Sequence, residues 1–338
     1  MDTNTVLQRL QVLQHSSDGV YDQKQSLLFS SIPPEIRNQI FALALAPYDG
    51  LSASFPMDSS YRRPGYLAPK KTHADLLTNC KRIYHESWFL PWANQELVFF
   101  FTRGGRPAGL PDMRRLPLPF QQKHRSVEER LAEIYDRRGR VDEIEHVRIF
   151  AGIWNLENGG RKTRSFADVF CNVPHFAPKR MTITIRHTDW TDWQVNRPLR
   201  ICGRWVEEAR LPDSVREVCL EFESTTWRQN QVDMLADKAA ALWYFERKDG
   251  ALLVADADDK TVMRWSGSST WDRQRWHRHE SRPLEIDYYV RIISFKLRPR
   301  WVKEDLVGHD RSATLRSIEG HDERNDWEDG VWSFENDD

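Results

Sequence analysis

The chain has almost no net charge: 49 Lys and Arg stand against 50 Asp and Glu, for −1 overall. Overall electrostatic attraction to nucleic acid or to an anionic membrane surface is therefore excluded as the basis of partner choice. Cysteine is scarce too. Cys80, Cys171, Cys202 and Cys219 are far apart and form no Cys-x-x-Cys pair, which argues against a disulfide scaffold or a thiolate zinc site. With no basic segment leading into an apolar core near Met1, the expectation is a reduced intracellular location, cytoplasmic or nuclear, and not secretion. No stretch approaches the roughly 18 apolar residues of a spanning helix, so no membrane partner is expected. Gly-x-x-x-x-Gly-Lys-Ser/Thr, Gly-x-Gly-x-x-Gly, Gly-x-Ser-x-Gly and His-Glu-x-x-His runs are all missing. The sequence thus offers no phosphate-cradling loop, nucleophile elbow or helix-borne zinc pair, and no cofactor is expected.

What is present is length and polar surface. With 338 residues, 29% of them charged, and a mean hydropathy of −0.67, the chain can bury a substantial core under a polar exterior. Two domains fit, or one small unit and one larger domain. The 14 tryptophans are read as packing residues.

The strongest pattern lies between Leu27 and Phe101. Ser31-Ile32-Pro33-Pro34-Glu35 predicts a helix start, because proline has no amide to leave unpaired and Glu35 complements the positive end of the dipole. Ile36, Ile40, Leu43 and Ala44 then recur at helical spacing and are predicted to face inward, with Arg37, Asn38 and Gln39 outward. Pro47 and the Tyr48-Asp49-Gly50 turn end the helix. Thr72-His73-Ala74-Asp75 resembles a capping box and predicts a second helix. Its inner side carries Leu76, Leu77, Cys80, Ile83, Tyr84 and Ser87, and Lys81, Arg82, His85 and Glu86 face water. Pro91 stops it, and Leu97 to Phe101 is a continuous apolar run predicted to be a buried strand.

Taken together, the two halves resemble the fungal F-box-like proteins. Leu28 to Ala44 is similar to their opening "LPxEIRxxIYxLAL", and Leu76 to Glu86 is similar to "LLxxCRxIYxEA". The resemblance implies a helical module that docks on the Skp-type adaptor of a cullin-type ubiquitin ligase, with the rest of the chain recruiting a protein cargo. It also implies that the adaptor-binding or module-core residues are Ile32, Pro33, Pro34, Ile36, Ile40, Leu43, Leu76, Leu77, Ile83 and Tyr84. A polar insertion over 48–71 separates the halves. The stretches Leu211 to Ser224 and Gly267 to Tyr289 resemble features of the same group, which has no assigned chemistry.

Outside that unit, residues 1–26 are polar and predicted to be disordered, and 102–125, rich in Gly, Pro and Arg, reads as a linker. Residues 126–303 read as one α+β or α/β domain: a mixed sheet with helices mainly on one face. Val127 to Tyr135 is a predicted helix there, and Leu156 to Arg164 a polar loop. Strands are predicted at Val147 to Phe150, Met181 to Arg186, Val215 to Phe222 and Asp287 to Leu297, with a hairpin of Leu252 to Val254 and Val262 to Trp265. Leu199 to Ala209 reads as a helix, and Gln229 to Arg247 as the longest one. The acidic stretch 304–338 reads as a disordered tail, or as a linear motif that folds onto a partner or onto the chain's own basic surface.

Chemical candidates are few. His277 and His279 reach one metal only if they lie on a strand. Cys171 with His175 offers a nucleophile and base, or two metal ligands, without a third partner. The basic, aromatic run from Trp271 to Trp301 contains Arg273, Arg275, Arg278, Arg282, Arg291, Lys296, Arg298 and Arg300. It suits phosphates and bases, or else arginines that cover aromatic faces. Three functional classes follow: a recruiting protein, a scaffold whose helical module is packed away from any adaptor, and an enzyme with a pocket assembled from Cys171, His175, His187 and Asp189. The first is the favoured expectation. Cargo and oligomeric state are not legible.

Overall fold

The computed structural model describes residues 23–57, 62–68, 70–88, 90–93, 96–102, 145–158, 165–172, 176–194, 197–255, 261–271, 274–298 and 306–317. The helix predicted at Val127 to Tyr135, nearly all of the linker and the chain beyond Ser317 lie outside these residues.

Two helices organise the N-terminal part, α1 (Pro34–Ala44) and α2 (Lys81–Ser87). Helix α1 begins where the prolines predict, with Pro33 as its cap residue. The predicted second helix is split. Ala74–Thr78 forms a 3-10 turn, and Cys80 then turns extended so that its Sγ accepts the Ile83 amide at 3.5 Å and caps α2. Phe41, Leu45, Leu77, Ile83 and Tyr84 form a small apolar cluster of their own, with Leu28, Phe29 and Trp88 at its edge.

The larger part is built on one nine-stranded mixed sheet. Its strands are β1 (Glu96–Phe101), β2 (His146–Ala151), β3 (Arg180–Ile185), β4 (Arg210–Leu211), β5 (Glu217–Thr225), β6 (Tyr244–Arg247), β7 (Leu252–Ala255), β8 (Thr261–Ser268) and β9 (Glu285–Leu297). The spatial order is β1-β2-β3-β5-β9-β7-β6-β4, with β8 also on β9. Strands β1, β2, β3 and β5 are parallel, and β9 returns antiparallel to β5. Phe99, Ile149, Ile183, Leu220 and Ile293 stand in register across five strands. All five are buried, because this face is covered by Ile153–Asn158, Arg204–Glu208 and α3 (Gln229–Leu242), whose inward side chains share one core with them. Helix α3 contributes Val232, Leu235, Ala236 and Ala239, the i, i+3, i+4, i+7 stripe of a helix lying on a sheet. The class is α+β. No helix among the described residues is long and apolar enough to cross a membrane.

Several predicted elements change. The run Leu97 to Phe101, assigned by sequence to the N-terminal unit, is hydrogen-bonded into the large sheet as β1, so a boundary at Phe101 would cut the sheet. The predicted hairpin does not form: β7 and β8 lie end to end along β9, each paired with it. The long helix stops at Leu242, where Trp243-Tyr244-Phe245, aromatic and β-favouring, turns into β6. Leu156 belongs to the helix Ile153–Asn158 and not to a loop. Leu199 to Ala209 divides into the strand Arg200–Cys202 and the helix Arg204–Glu208.

The tail predicted from residue 304 is partly built into the fold. Thr314–Arg316 pairs with Arg200–Cys202. Gly203 permits this approach, since a Cβ there would meet the Arg311 carbonyl oxygen at 2.3 Å. Arg311 is buried, donating to Glu246 at 2.8 Å and to the carbonyls of Val206, Glu207 and Ala209 at 2.6, 2.9 and 3.1 Å. Composition conceals this anchor because it is one arginine and not an apolar run.

Candidate functional site

Helix α1 turns a different face inward from the one its apolar spacing predicts. Arg37, Phe41 and Leu45 are 5%, 1% and 0% exposed, whereas Ile36, Ile40 and Leu43 are 45%, 39% and 80% exposed. The rotation is about one residue, roughly 100° around the axis. Arg37 is the cause. Its guanidinium forks onto Glu86 of α2, Nε to Oε2 at 3.0 Å and Nη2 to Oε1 at 3.1 Å, while Nη1 donates to the Ile32 carbonyl at 2.8 Å. A guanidinium so satisfied can be buried, and its stem adds apolar contact. Glu86, predicted to face water, is therefore part of the packing. Burial pushes its carboxyl up, but the hydrogen bonds from Arg37 and Arg82 outweigh that and hold it below the usual range.

The sequence candidates accordingly divide. Leu77, Ile83 and Tyr84 are buried in the small cluster, with Leu76 packed at its edge. Pro33, Pro34, Ile36, Ile40 and Leu43 are on the surface, and Ile32 lies between. The outward face of α1 is apolar at i, i+4 and i+7. Its other exposed side chains are Glu35 in the first turn, neutral Asn38 and Gln39, and Ala44.

The second concentration of functional groups was not predicted. It lies on the face of the sheet opposite α3, where Glu96, Arg148, Thr184, Glu221 and Glu223 alternate with the core residues along β1, β2, β3 and β5. The described parts of the insertion, 48–57, 62–68 and 70–71, fold over this face. Tyr48–Asp49 pairs with Lys70–Lys71 at its base, and Arg63 reaches Glu223 at 3.2 Å and Glu221 at 3.7 Å. The Tyr66 hydroxyl donates to Glu96, and its ring meets Phe150 edge-on at 5.5 Å. Arg148 completes the layer, 2.6 Å from Glu221, 2.9 Å from Thr184 and 2.9 Å from Glu96. The two carboxyls of β5 diverge. Burial raises Glu221, but Arg148 and Arg63 outweigh it and hold it low. At Glu223 burial prevails over Arg63 and Arg186, and the carboxyl is pushed up.

Beside Glu223 sit two buried imidazoles. His187 Nδ1 lies 3.2 Å from the Ser224 hydroxyl, and its Nε2 lies 3.2 Å from His279 Nδ1. Burial, then His279 and Arg228, lower the pKa of His187; burial, then Arg228 and Arg278, lower that of His279 to about 4. Both rings are neutral near pH 7, one donating to the other, within a surround that includes Trp193 and Tyr288.

The remaining candidates do not converge. Cys171 is buried in the main core, its thiol pushed up to about 12 by burial, and its electrostatic neighbours are Lys248, Arg210 and Asp168. His187 is engaged elsewhere, as above, and His175 lies outside the described residues. Asp189 pairs with Arg186 at 2.7 Å. His277 and His279 lie on a 3-10 turn and not on a strand, one exposed and the other buried. Among the described residues no three His, Cys, Asp or Glu side chains could hold a metal ion together. Three cations of the basic run are paired within the fold, through Arg275–Glu280 at 2.6 Å, Arg282–Asp287 at 3.0 Å and Arg291–Asp233 at 3.2 Å; Arg273, Arg300 and Trp301 lie outside the described residues. One signal for the buried ionic layer was available: Glu217, Glu221 and Glu223 alternate along a strand that its neighbours place mid-sheet, while the insertion supplies Arg62 and Arg63. No family model, curated protein sequence or solved structure matches this chain.

Proposed function

We propose that the chain is a non-catalytic recruiting protein, in which α1 docks on a Skp-type adaptor of a ubiquitin ligase and the sheet-bearing part holds a protein cargo. The observation that supports this reading is the uncovered stripe of Ile36, Ile40 and Leu43. Anchors at i, i+4 and i+7 are the form in which a helix enters a partner's groove. Covering what remains exposed of these three side chains contributes roughly 3–5 kcal/mol before the cost of association, a sizeable share of the ~8 kcal/mol of a micromolar complex. The insertion interrupts the family-like pattern, yet it folds over the sheet and leaves this stripe exposed. On this reading the protein works in the cytoplasm or nucleus.

The test is titration calorimetry of the purified full-length chain against a Skp-type adaptor, alongside a Leu43→Asp variant. Binding at micromolar strength or tighter, lost in a variant that unfolds at the wild-type denaturant concentration, is the expected result. Absence of binding by folded wild type, or binding retained by the variant, overturns the proposal. A scaffold role is the second reading. It is favoured by Arg63, which pins the insertion into the sheet, and it predicts that wild type ignores the adaptor.

A further inference from the structure

Where the insertion meets the ends of β5, β8 and β9 there is a small open cleft with a cavity volume of about 30 Å³, lined by Arg62, Arg63, Arg186, Thr188, Trp265 and Tyr288 among others. Three guanidinium groups converge on it from two separate parts of the chain. Arg186 is held in place by Asp189 through Nε at 2.7 Å and Nη2 at 3.0 Å. Arg62 donates one Nη1 bond to the Phe55 carbonyl at 3.1 Å. Arg63 is buried and uses Nη2 on Glu221 and Glu223, while its Nη1 is buried without a hydrogen-bond partner. This N–H is closed off from solvent, so an anion reaches it only by a shift of the Arg63 head toward the cleft, and such a shift would recover the roughly 1–3 kcal/mol that a buried N–H without an acceptor costs. The opposite wall is flat and apolar: Trp265 and Tyr288 stack with centroids 4.1 Å apart. Gly267 keeps that wall close, since a Cβ there would meet the Trp265 ring at 2.6 Å and the Tyr288 ring at 3.1 Å.

We propose that this cleft binds a phosphate group, free or carried on a small flat organic body that lies along Trp265. Arginine suits a phosphate better than a lysine would, because its planar fork meets two oxygens at once. The carboxylate that also lines the cleft does not oppose this. Glu223 is already engaged by Arg63, by the His187 amide at 3.4 Å and by Trp265 Nε1 at 3.3 Å. The site lies apart from α1, so it stands or falls independently of adaptor docking.

The experiment uses the full-length chain with two probes, inorganic phosphate and phenyl phosphate, titrated at constant ionic strength against chloride controls. Saturable binding of at least one probe is expected. Arg62→Ala, a half-buried position outside the buried ion pairs, weakens it at least about tenfold, the loss of one charge-assisted hydrogen bond. Gly267→Ala separates the two ligand types. It moves the Trp265 wall and lowers affinity for phenyl phosphate while sparing inorganic phosphate if the flat body contributes, and it affects neither if the phosphate alone is held. No saturable binding of either probe by folded wild type overturns the proposal. Equal binding by wild type and Arg62→Ala overturns it as well, by placing the anion elsewhere.

Discussion

Arg63 of the insertion stands 3.2 Å from Glu223 of β5, and both side chains are buried. The pair joins a segment between the two N-terminal helices to the middle of the sheet. Removing one member of a buried ion pair leaves the other charged without compensation, a loss of about 3–5 kcal/mol. Arg63→Met is therefore expected to lower the urea midpoint strongly, and Glu223→Gln in the same background to restore part of it. If Arg63→Met unfolds at the wild-type midpoint, the insertion is not anchored through this contact.

Arg311 makes a parallel case near the C-terminus. It pairs with Glu246 at 2.8 Å and caps the helix Arg204–Glu208, its Nη2 donating to the carbonyls of Val206, Glu207 and Ala209 at the helix end. Arg311→Ala is expected to cost about 2–3 kcal/mol, since it leaves helix-end carbonyls without their donor and takes from Glu246 the nearer of two arginines, Arg210 remaining at 3.5 Å. Arg311→Lys recovers only part, because an ammonium cannot reproduce the planar fork. Denaturation curves of the three proteins decide the point; equal midpoints would mean that the segment 306–317 adds nothing to stability.

The imidazole pair makes stability depend on pH in a defined direction. His279 titrates at about 4 in the folded chain and at about 6.5 when unfolded. Below about pH 6.5 the unfolded chain takes up a proton that the folded chain refuses, so stability is fully present above that value and is lost progressively down to about pH 4. His187 is shifted in the same direction. Each such group steepens the fall by about 1 kcal/mol per pH unit between pH 6 and 5. Urea midpoints across that range are expected to fall less steeply in His279→Gln than in wild type, and identical slopes would exclude the buried neutral pair.

Much of this architecture is legible in the sequence where local chemistry and tertiary packing agree. The Pro33-Pro34 start of α1, the apolar strands β1, β2 and β3, and the alternation of β5 are all read correctly from period and cap signals. The residues assigned to the wrong side share one cause. Arg37, Arg63, Arg148, Glu221, Glu223 and Arg311 are charged residues that the fold buries in pairs, and periodicity assigns every such residue to solvent. A partner tens of positions away, as Glu86 is from Arg37, decides the matter, and no local pattern contains it. The same blindness turned α1 by one residue and ended the ordered chain too early at 304.

That rotation of α1 gives the sharpest stability contrast. If Phe41 is inside, Phe41→Ala removes a fully buried ring and costs about 3–5 kcal/mol. If Leu43 is outside at 80% exposure, Leu43→Asp changes stability by no more than about 0.5 kcal/mol. Ile36 and Ile40, half-exposed, fall between these limits when replaced by alanine. An apolar-spacing rule predicts the reverse order, with Leu43→Asp placing a carboxylate in the core at a cost of several kcal/mol. Measuring urea midpoints at matched m-values orders the variants directly. A Leu43→Asp chain as destabilised as Phe41→Ala would return the stripe to the interior, and with it remove the surface on which the proposed adaptor docking rests.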